Sequence, residues 1–191
     1  MNLPTEIYTV ESVRNIDRAA IDDAGIGGYT LMCRAGQAAL DAIVARFPDA
    51  RRWQVICGSG NNGGDGYVVA RLAAERGIAV SVLAMAPPDK LGGDAATAYM
   101  DFAALGGAMA DERGGLDADA ELLVDGLLGS GLERDVEGRY AEIVDRINRH
   151  PAPAVALDIP SGLHGDTGAI MGVAVRAGLT ITFVGLKSGL Y

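Results

Sequence analysis

The sequence predicts an α/β domain: a parallel sheet covered by helices on both faces, with a helical N-terminal arm. Two observations carry that expectation. From about residue 50 onward, short apolar runs alternate with helical patterns, the arrangement that builds strand–helix–strand units. The runs are almost continuously apolar rather than alternating, as strands buried on both faces are. The length agrees, since 191 residues correspond to roughly one domain and suffice for a sizeable core. No linker, repeat or low-complexity tract divides the chain.

The elements follow in order. Ser12 is placed to cap a first helix carrying Val13, Ile16, Ala20 and Ile21 on one face, broken at Gly25-Ile26-Gly27-Gly28. Thr30 is placed to cap a second, with Leu31, Ala35, Ala38, Ala39, Ile43 and Val44 apolar and a stop near Pro48. Trp53–Cys57 reads as a buried strand. The glycine-rich stretch Gly58–Gly66 reads as a loop, followed by a helix from about Tyr67 to Arg76 that ends at Gly77. Ile78–Met85 is the next strand, Ala95–Leu105 a helix, Glu121–Val124 a strand running into Asp125-Gly126, and Tyr140–Arg149 a helix. Ala154–Leu157 and Leu179–Val184 complete the strands, the first running into Asp158-Ile159-Pro160-Ser161-Gly162.

Composition removes several function classes. Apolar residues make up 49% and charged residues 21%, a globular balance. A net charge of −9 without a basic run argues against a nucleic-acid backbone as partner. The apolar stretches fall well short of the ~18 residues a membrane span needs. The N-terminus has neither a basic nor an apolar signal region, so a cytoplasmic location is expected. Cys33 and Cys57 are too few for a disulfide framework, and Cys57 reads as a small core residue. Glycine, at 27 of 191 residues, is about twice its usual ~7%, which points to turns and ligand loops.

In open α/β sheets ligands bind beyond the carboxyl ends of the strands. Gly58–Gly66, Asp125–Gly131 and Asp158–Gly162 all fall at such ends, so parallel strands would gather them at one edge. Gly58–Gly66 offers close backbone approach, φ > 0 and a helix N-terminus for phosphate. Asn61, Asn62 and Asp65 add side-chain oxygens that a bare turn does not need. It is not the dinucleotide fingerprint, for the next strand ends in Ala86-Pro87-Pro88 rather than an acid, and no P-loop lysine follows. The Gly129–Gly131 N–H groups can form an anion nest with Arg134 adding charge, although Glu133 and Arg134 read equally well as a solvated pair. Asp158 suits general acid–base work if partly desolvated, or else closes an Asx-type turn. His150 and His164 do not form a triad with Ser161, and no spacing suggests zinc. Oxygens from Asn62, Asp125 and Ser161 suit a hard cation.

Together, Gly58-Ser59-Gly60-Asn61-Asn62-Gly63-Gly64-Asp65-Gly66, Val124–Leu132 and Leu157-Asp158-Ile159-Pro160-Ser161-Gly162-Leu163 with Asp166-Thr167-Gly168 resemble the signature of the YjeF N-terminal domain, the NAD(P)H-hydrate epimerase family. The resemblance runs from about Ser12 to the end, and residues 1–191 are expected to be that one domain. It implies a Rossmann-like three-layer αβα sandwich, a homodimer, and an isomerase that interconverts the R and S epimers of NADHX and NADPHX, the hydrated forms of NADH and NADPH. It implies one potassium ion per subunit held by Asn62, Asp125 and Ser161. The substrate would be held by Asn61, Asn62, Gly63, Gly64 and Asp65, by Gly129, Ser130, Gly131, Leu132, Glu133, Arg134 and Asp135, and by Asp158. Asp158 would be the acid–base residue at C6 of the hydrated ring and Asp65 a supporting polar group, with no redox cofactor.

The chain stops soon after an apolar strand, where family members continue. A chain lacking the last C-terminal elements is therefore expected, either a shortened form or the first part of a longer protein fused or paired with a nucleotide-dependent dehydratase. Such an end would leave a sheet edge uncovered. Lys187, four residues after Phe183, either contacts substrate or is solvated. Two rival readings are weaker: a non-catalytic dimerisation or binding scaffold, disfavoured because Asn61, Asn62 and Asp158 are all present, and an ordinary NAD(P)-dependent oxidoreductase, whose fingerprint the sequence lacks.

Overall fold

Strand segments apolar on both sides demand cover on both faces, and the chain provides it. The computed structural model describes residues 6–110 and 115–191. In chain order the elements are β1 (Ile7–Tyr8), α1 (Val10–Asp22), α2 (Gly28–Arg46), β2 (Arg52–Cys57), α3 (Asn61–Glu75), β3 (Ala79–Ala84), α4 (Gly93–Ala104), β4 (Ala108–Met109), β5 (Leu122–Gly126), α5 (Gly138–Arg149), β6 (Ala154–Leu157), β7 (Leu179–Ile181) and β8 (Leu186–Lys187). Six strands form a wholly parallel sheet in the order β4-β3-β2-β5-β6-β7. β1 and β8 pair apart from it, also parallel, with Tyr8 opposite Lys187.

Successive strand residues point to opposite faces and so feed two cores. Val55 and Cys57 of β2, with Leu122 and Val124 of β5, pack with Leu40, Ile43, Tyr67, Val68 and Phe102 from α2, α3 and α4. Ile56, Leu83 and Leu123 turn the other way, onto Ile143, Val144 and Ile147 of α5. The result is the three-layer αβα sandwich expected from the sequence. Strand order reverses between β2 and β5, which opens the crevice where open α/β sheets bind ligands.

Several local expectations change. Thr9, not Ser12, caps α1, its Oγ1 accepting the Ser12 N–H at 3.1 Å. Val10 and Val13 form the buried side of α1, while Ile16 and Ile21 are exposed. Gly27 precedes α2, so Thr30 lies inside that helix, and the buried stripe is Met32, Gly36, Ala39, Leu40 and Ile43 rather than Ala35 and Ala38. β7 ends at Ile181 and not at Val184, because Val184 takes φ +64 and turns the chain. β1, β4 and β8, at two residues each, are too short to show as apolar runs.

The largest correction concerns Gly58–Gly66. Helix α3 starts at Asn61, so Asn61–Gly66 are its first turns and not a loop. None of these glycines has positive φ; they are small because neighbours press on the helix. A Cβ on Gly64 would stand 2.7 Å from Met32 Cε and 3.0 Å from Ala95 Cα, so α3 is wedged between α2 and α4. Gly64→Ala is therefore expected to force those helices apart and lose about 1–3 kcal/mol, read as a lower midpoint in urea unfolding; an unchanged midpoint would contradict the wedge.

Candidate functional site

The site is assembled by loops leaving the carboxyl ends of β2, β5 and β6. Asp125, second to last in β5, is fully buried. Its Oδ1 accepts the Ser161 hydroxyl at 2.6 Å and the Leu127 N–H at 3.1 Å, and its Oδ2 accepts the Ser161 N–H at 2.9 Å. One carboxylate thus ties the β5 loop to the β6 loop. Burial pushes its pKa up to about 6, and the Ser161 and Leu127 donors oppose the rise.

A second knot forms at the Leu128 carbonyl. It accepts Asn62 Nδ2 at 2.9 Å and the Ser161 hydroxyl at 3.1 Å, while the Leu128 N–H donates to Ser161 Oγ at 2.8 Å. Asn62, Asp125 and Ser161, expected together as cation ligands, therefore do converge. Asn62 Oδ1 is buried and has no hydrogen-bond partner among the described residues. A buried orphan oxygen on a side chain that shares the Leu128 carbonyl with Ser161, itself bonded to Asp125, fits a hard cation. The Leu128 carbonyl joins this group without any signal in its side chain.

Asp158 follows β6 directly and takes φ +63, a conformation that a non-glycine residue adopts at a cost. Its N–H still donates to the Ile181 carbonyl at 2.8 Å, so the sheet ladder holds the residue as the chain turns. Its Oδ2 accepts the Ser130 N–H at 3.1 Å, and its Oδ1 lies 2.6 Å from Lys187 Nζ.

Lys187 corrects one expectation, for it is fully buried rather than solvated. Its ammonium also donates to Thr182 Oγ1 at 2.9 Å, to the Phe183 carbonyl at 3.0 Å and to the Gly185 carbonyl at 3.4 Å. A turn closed from the Gly185 N–H to the Phe183 carbonyl at 2.7 Å, with Val184 in the left-handed region at its centre, presents these carbonyls. Sequence reasoning left Lys187 undecided because nothing local reveals that β1 pairs with β8 beside it.

Two further carboxylates share this field. Asp65, half-buried on α3, has its pKa raised well above the ordinary aspartate value by burial and by the charges of Asp158 and Asp17, against an opposing effect of Lys187. Asp17 of α1, which the sequence did not single out, is also raised by burial; Lys187 lowers it and Asp158 raises it.

Other expected residues are placed less centrally. Gly63 and Gly64 are buried in α3, Asn61 is exposed at its start, and Gly129 and Ser130 are half-buried beside Asp158. Gly131 is exposed and Leu132 half-buried. Glu133, Arg134 and Asp135 lie on the surface, making no side-chain hydrogen bond or ion pair with another described residue. His150 Nε2 lies 3.1 Å from the Asp117 carbonyl and His164 Nδ1 accepts the Asp166 N–H at 3.3 Å, and neither ring hydrogen-bonds Asp158 or Ser161. No helix among the described residues is long and apolar enough to cross a membrane.

Comparison with known proteins adds an independent view. The family model described as YjeF-related protein N-terminus matches residues 28–189. The chain is 43% identical over 190 residues to the bifunctional NAD(P)H-hydrate repair enzyme Nnr of Escherichia coli, covering all of this chain and 37% of that protein. It is 40% identical over 187 residues to the NAD(P)H-hydrate epimerase of Limosilactobacillus fermentum, covering 97% of this chain and 88% of that protein. The chain thus spans little more than a third of the bifunctional relatives it matches. The crystal structure of yeast ynu0, YNL200c, superposes with a TM-score of 0.87 at 20% identity over 97% of this chain and 83% of that one, which supports the fold.

Removing the buried ammonium would leave the Asp158 carboxylate without its counter-ion. Lys187→Met is expected to cost about 3–5 kcal/mol of unfolding free energy, measured by urea denaturation. A loss below ~1 kcal/mol would show that the pair is not a structural tie.

Proposed function

The chain belongs to the YjeF-related N-terminal family, and from that premise we propose that it is an NAD(P)H-hydrate epimerase, an isomerase acting on NADHX and NADPHX at C6. The observation that carries the proposal is the match to the Limosilactobacillus fermentum epimerase across most of that protein's length. The site supports it chemically. C6 bears a hydroxyl beside the ring nitrogen, so inversion requires the C–O bond, or the ring, to open and reclose on the other face. A positioned carboxyl group can carry the proton in either case, with no change of oxidation state. In C–O opening it protonates the departing hydroxyl, which leaves as water and returns to the other face. In ring opening it carries the hydroxyl proton to N1 as C6=O forms and brings it back on reclosure.

In this reading Asp158 is the catalytic residue, moving the proton at the C6 hydroxyl. Lys187 and the Ser130 N–H each hold one of its oxygens, which fixes the carboxylate before substrate arrives. Asp65, whose pKa is raised by burial and by the neighbouring carboxylates, is a supporting polar group toward the substrate. The N-terminal turns of α3 and the Gly129–Gly131 loop hold the dinucleotide, with Leu132, Glu133, Arg134 and Asp135 continuing that surface. Asn62, Asp125 and Ser161 would hold one potassium ion per subunit, which would supply positive charge beside the phosphate-bearing substrate. NADHX and NADPHX are substrates; no redox cofactor takes part.

We further assign the active form as a cytoplasmic homodimer. Relatives named as bifunctional repair enzymes suggest a dehydratase partner, fused or separate, that consumes one epimer.

Asp158→Asn keeps the shape, and asparagine tolerates positive φ. It is expected to lower epimerisation at least ~1000-fold while dinucleotide binding survives, followed by chromatography of the R and S epimers with calorimetry beside it. Retained turnover would overturn the assignment of Asp158. Ser161→Ala is expected to lose about 1–3 kcal/mol of stability and the stabilisation that potassium gives over sodium in thermal melts; equal protection in both proteins would refute the cation assignment.

A further inference from the structure

Helix α1 lies before residue 28, where the family match begins, yet one of its faces runs along the site. Val10, Arg14 and Asp17 are spaced i, i+4 and i+7 and share that face. Val10 leaves no room for a side chain on Gly165, and the same point lies 3.3 Å from Ser130 Cβ and from the Ser130 carbonyl. The Val10 N–H donates to Asp166 Oδ1 at 2.7 Å, which pins the start of the helix. Arg14 Nη2 stands 3.1 Å from where a Cβ on Gly131 would be, so the guanidinium rests against that glycine. Asp17 is within electrostatic reach of Lys187 and Asp158. One helix face therefore packs at Val10 on Gly165, which adjoins Ser130, and at Arg14 on Gly131.

Two further observations concern anion binding. The Ser130 N–H is committed to Asp158, so the nest expected from Gly129–Gly131 lacks its central donor for a phosphate. Arg134, the cation expected to assist, is exposed and makes no side-chain hydrogen bond or ion pair with another described residue; Arg14 is exposed as well. Arg14 is a cation already at the loop, and among the described residues it has no hydrogen-bond or ion-pair partner.

We propose that α1 is a wall of the substrate site and that Arg14 is a substrate-binding residue, its guanidinium taking the pyrophosphate of the dinucleotide that lies along Gly129–Gly131. The planar fork of N–H donors matches two phosphate oxygens and replaces the donor that Ser130 withholds. The identity of the ligand as a dinucleotide rests on the epimerase reading. A glycine at position 131 leaves space for both the guanidinium and the phosphate it holds.

The test uses ADP-ribose, which carries the pyrophosphate but not the reacting ring, as a calorimetric probe, together with steady-state epimerisation. Arg14→Ala is expected to weaken ADP-ribose roughly ten- to a hundredfold and to raise KM similarly with kcat retained. Arg14→Lys should recover part of the binding, since it restores the charge without the fork. Wild-type affinity and KM in Arg14→Ala would overturn the proposal. A wild-type protein with no affinity for ADP-ribose would overturn it together with the dinucleotide reading. Arg14-dependent binding without epimerisation would refute the catalytic reading and support the role of Arg14.

Discussion

The buried Asp125 carboxylate is the constraint on which the rest of the site depends. A charge taken out of water is costly unless donors surround it, and here three do. Satisfying them fixes where Ser161 and Leu127 stand. Ser161 then fixes Leu128, and Leu128 fixes Asn62 at the start of α3. The ends of three strands are thus locked together through one side chain. This is how a set of loops acquires the rigidity of a pre-organised site.

The second organising feature is an excess of carboxylates around one ammonium. Asp158, Asp65 and Asp17 all act on one another electrostatically, and Lys187 is the positive group that offsets them. Lys187 is reached by an unusual route, for its strand pairs with β1 and its carbonyl partners come from a turn strained at Val184. That strain costs free energy in the folded state and is offset by the contacts around the ammonium. The first and last described strands therefore pair at Lys187, which brings the N-terminal arm next to Asp158.

Much of this was legible in the residues. The alternation of apolar runs and helical patterns implied a covered parallel sheet, and the three strand ends with Asp125, Asp158 and the glycine runs implied one edge. Asn62, Asp125 and Ser161 could be grouped by their oxygens and by family resemblance. What escaped had no local signature. The glycines of Asn61–Gly66 read as a loop because close packing and positive φ select the same residue, and only the positions of Met32 and Ala95 distinguish them. Lys187 reaches Asp158 on a strand paired with a segment far away in sequence, and Asp17, on the helix that follows that segment, shares their field. The Leu128 carbonyl is a backbone atom and invisible to any reading of side chains.

The central claim is that this arrangement inverts the configuration at C6 of a hydrated nicotinamide ring. The most direct measurement mixes pure (R)-NADHX with the folded protein in potassium buffer and follows the S epimer by NMR. The account predicts approach to the R/S equilibrium far faster than the spontaneous rate. Conversion at the spontaneous rate by a folded protein that binds the dinucleotide would contradict it.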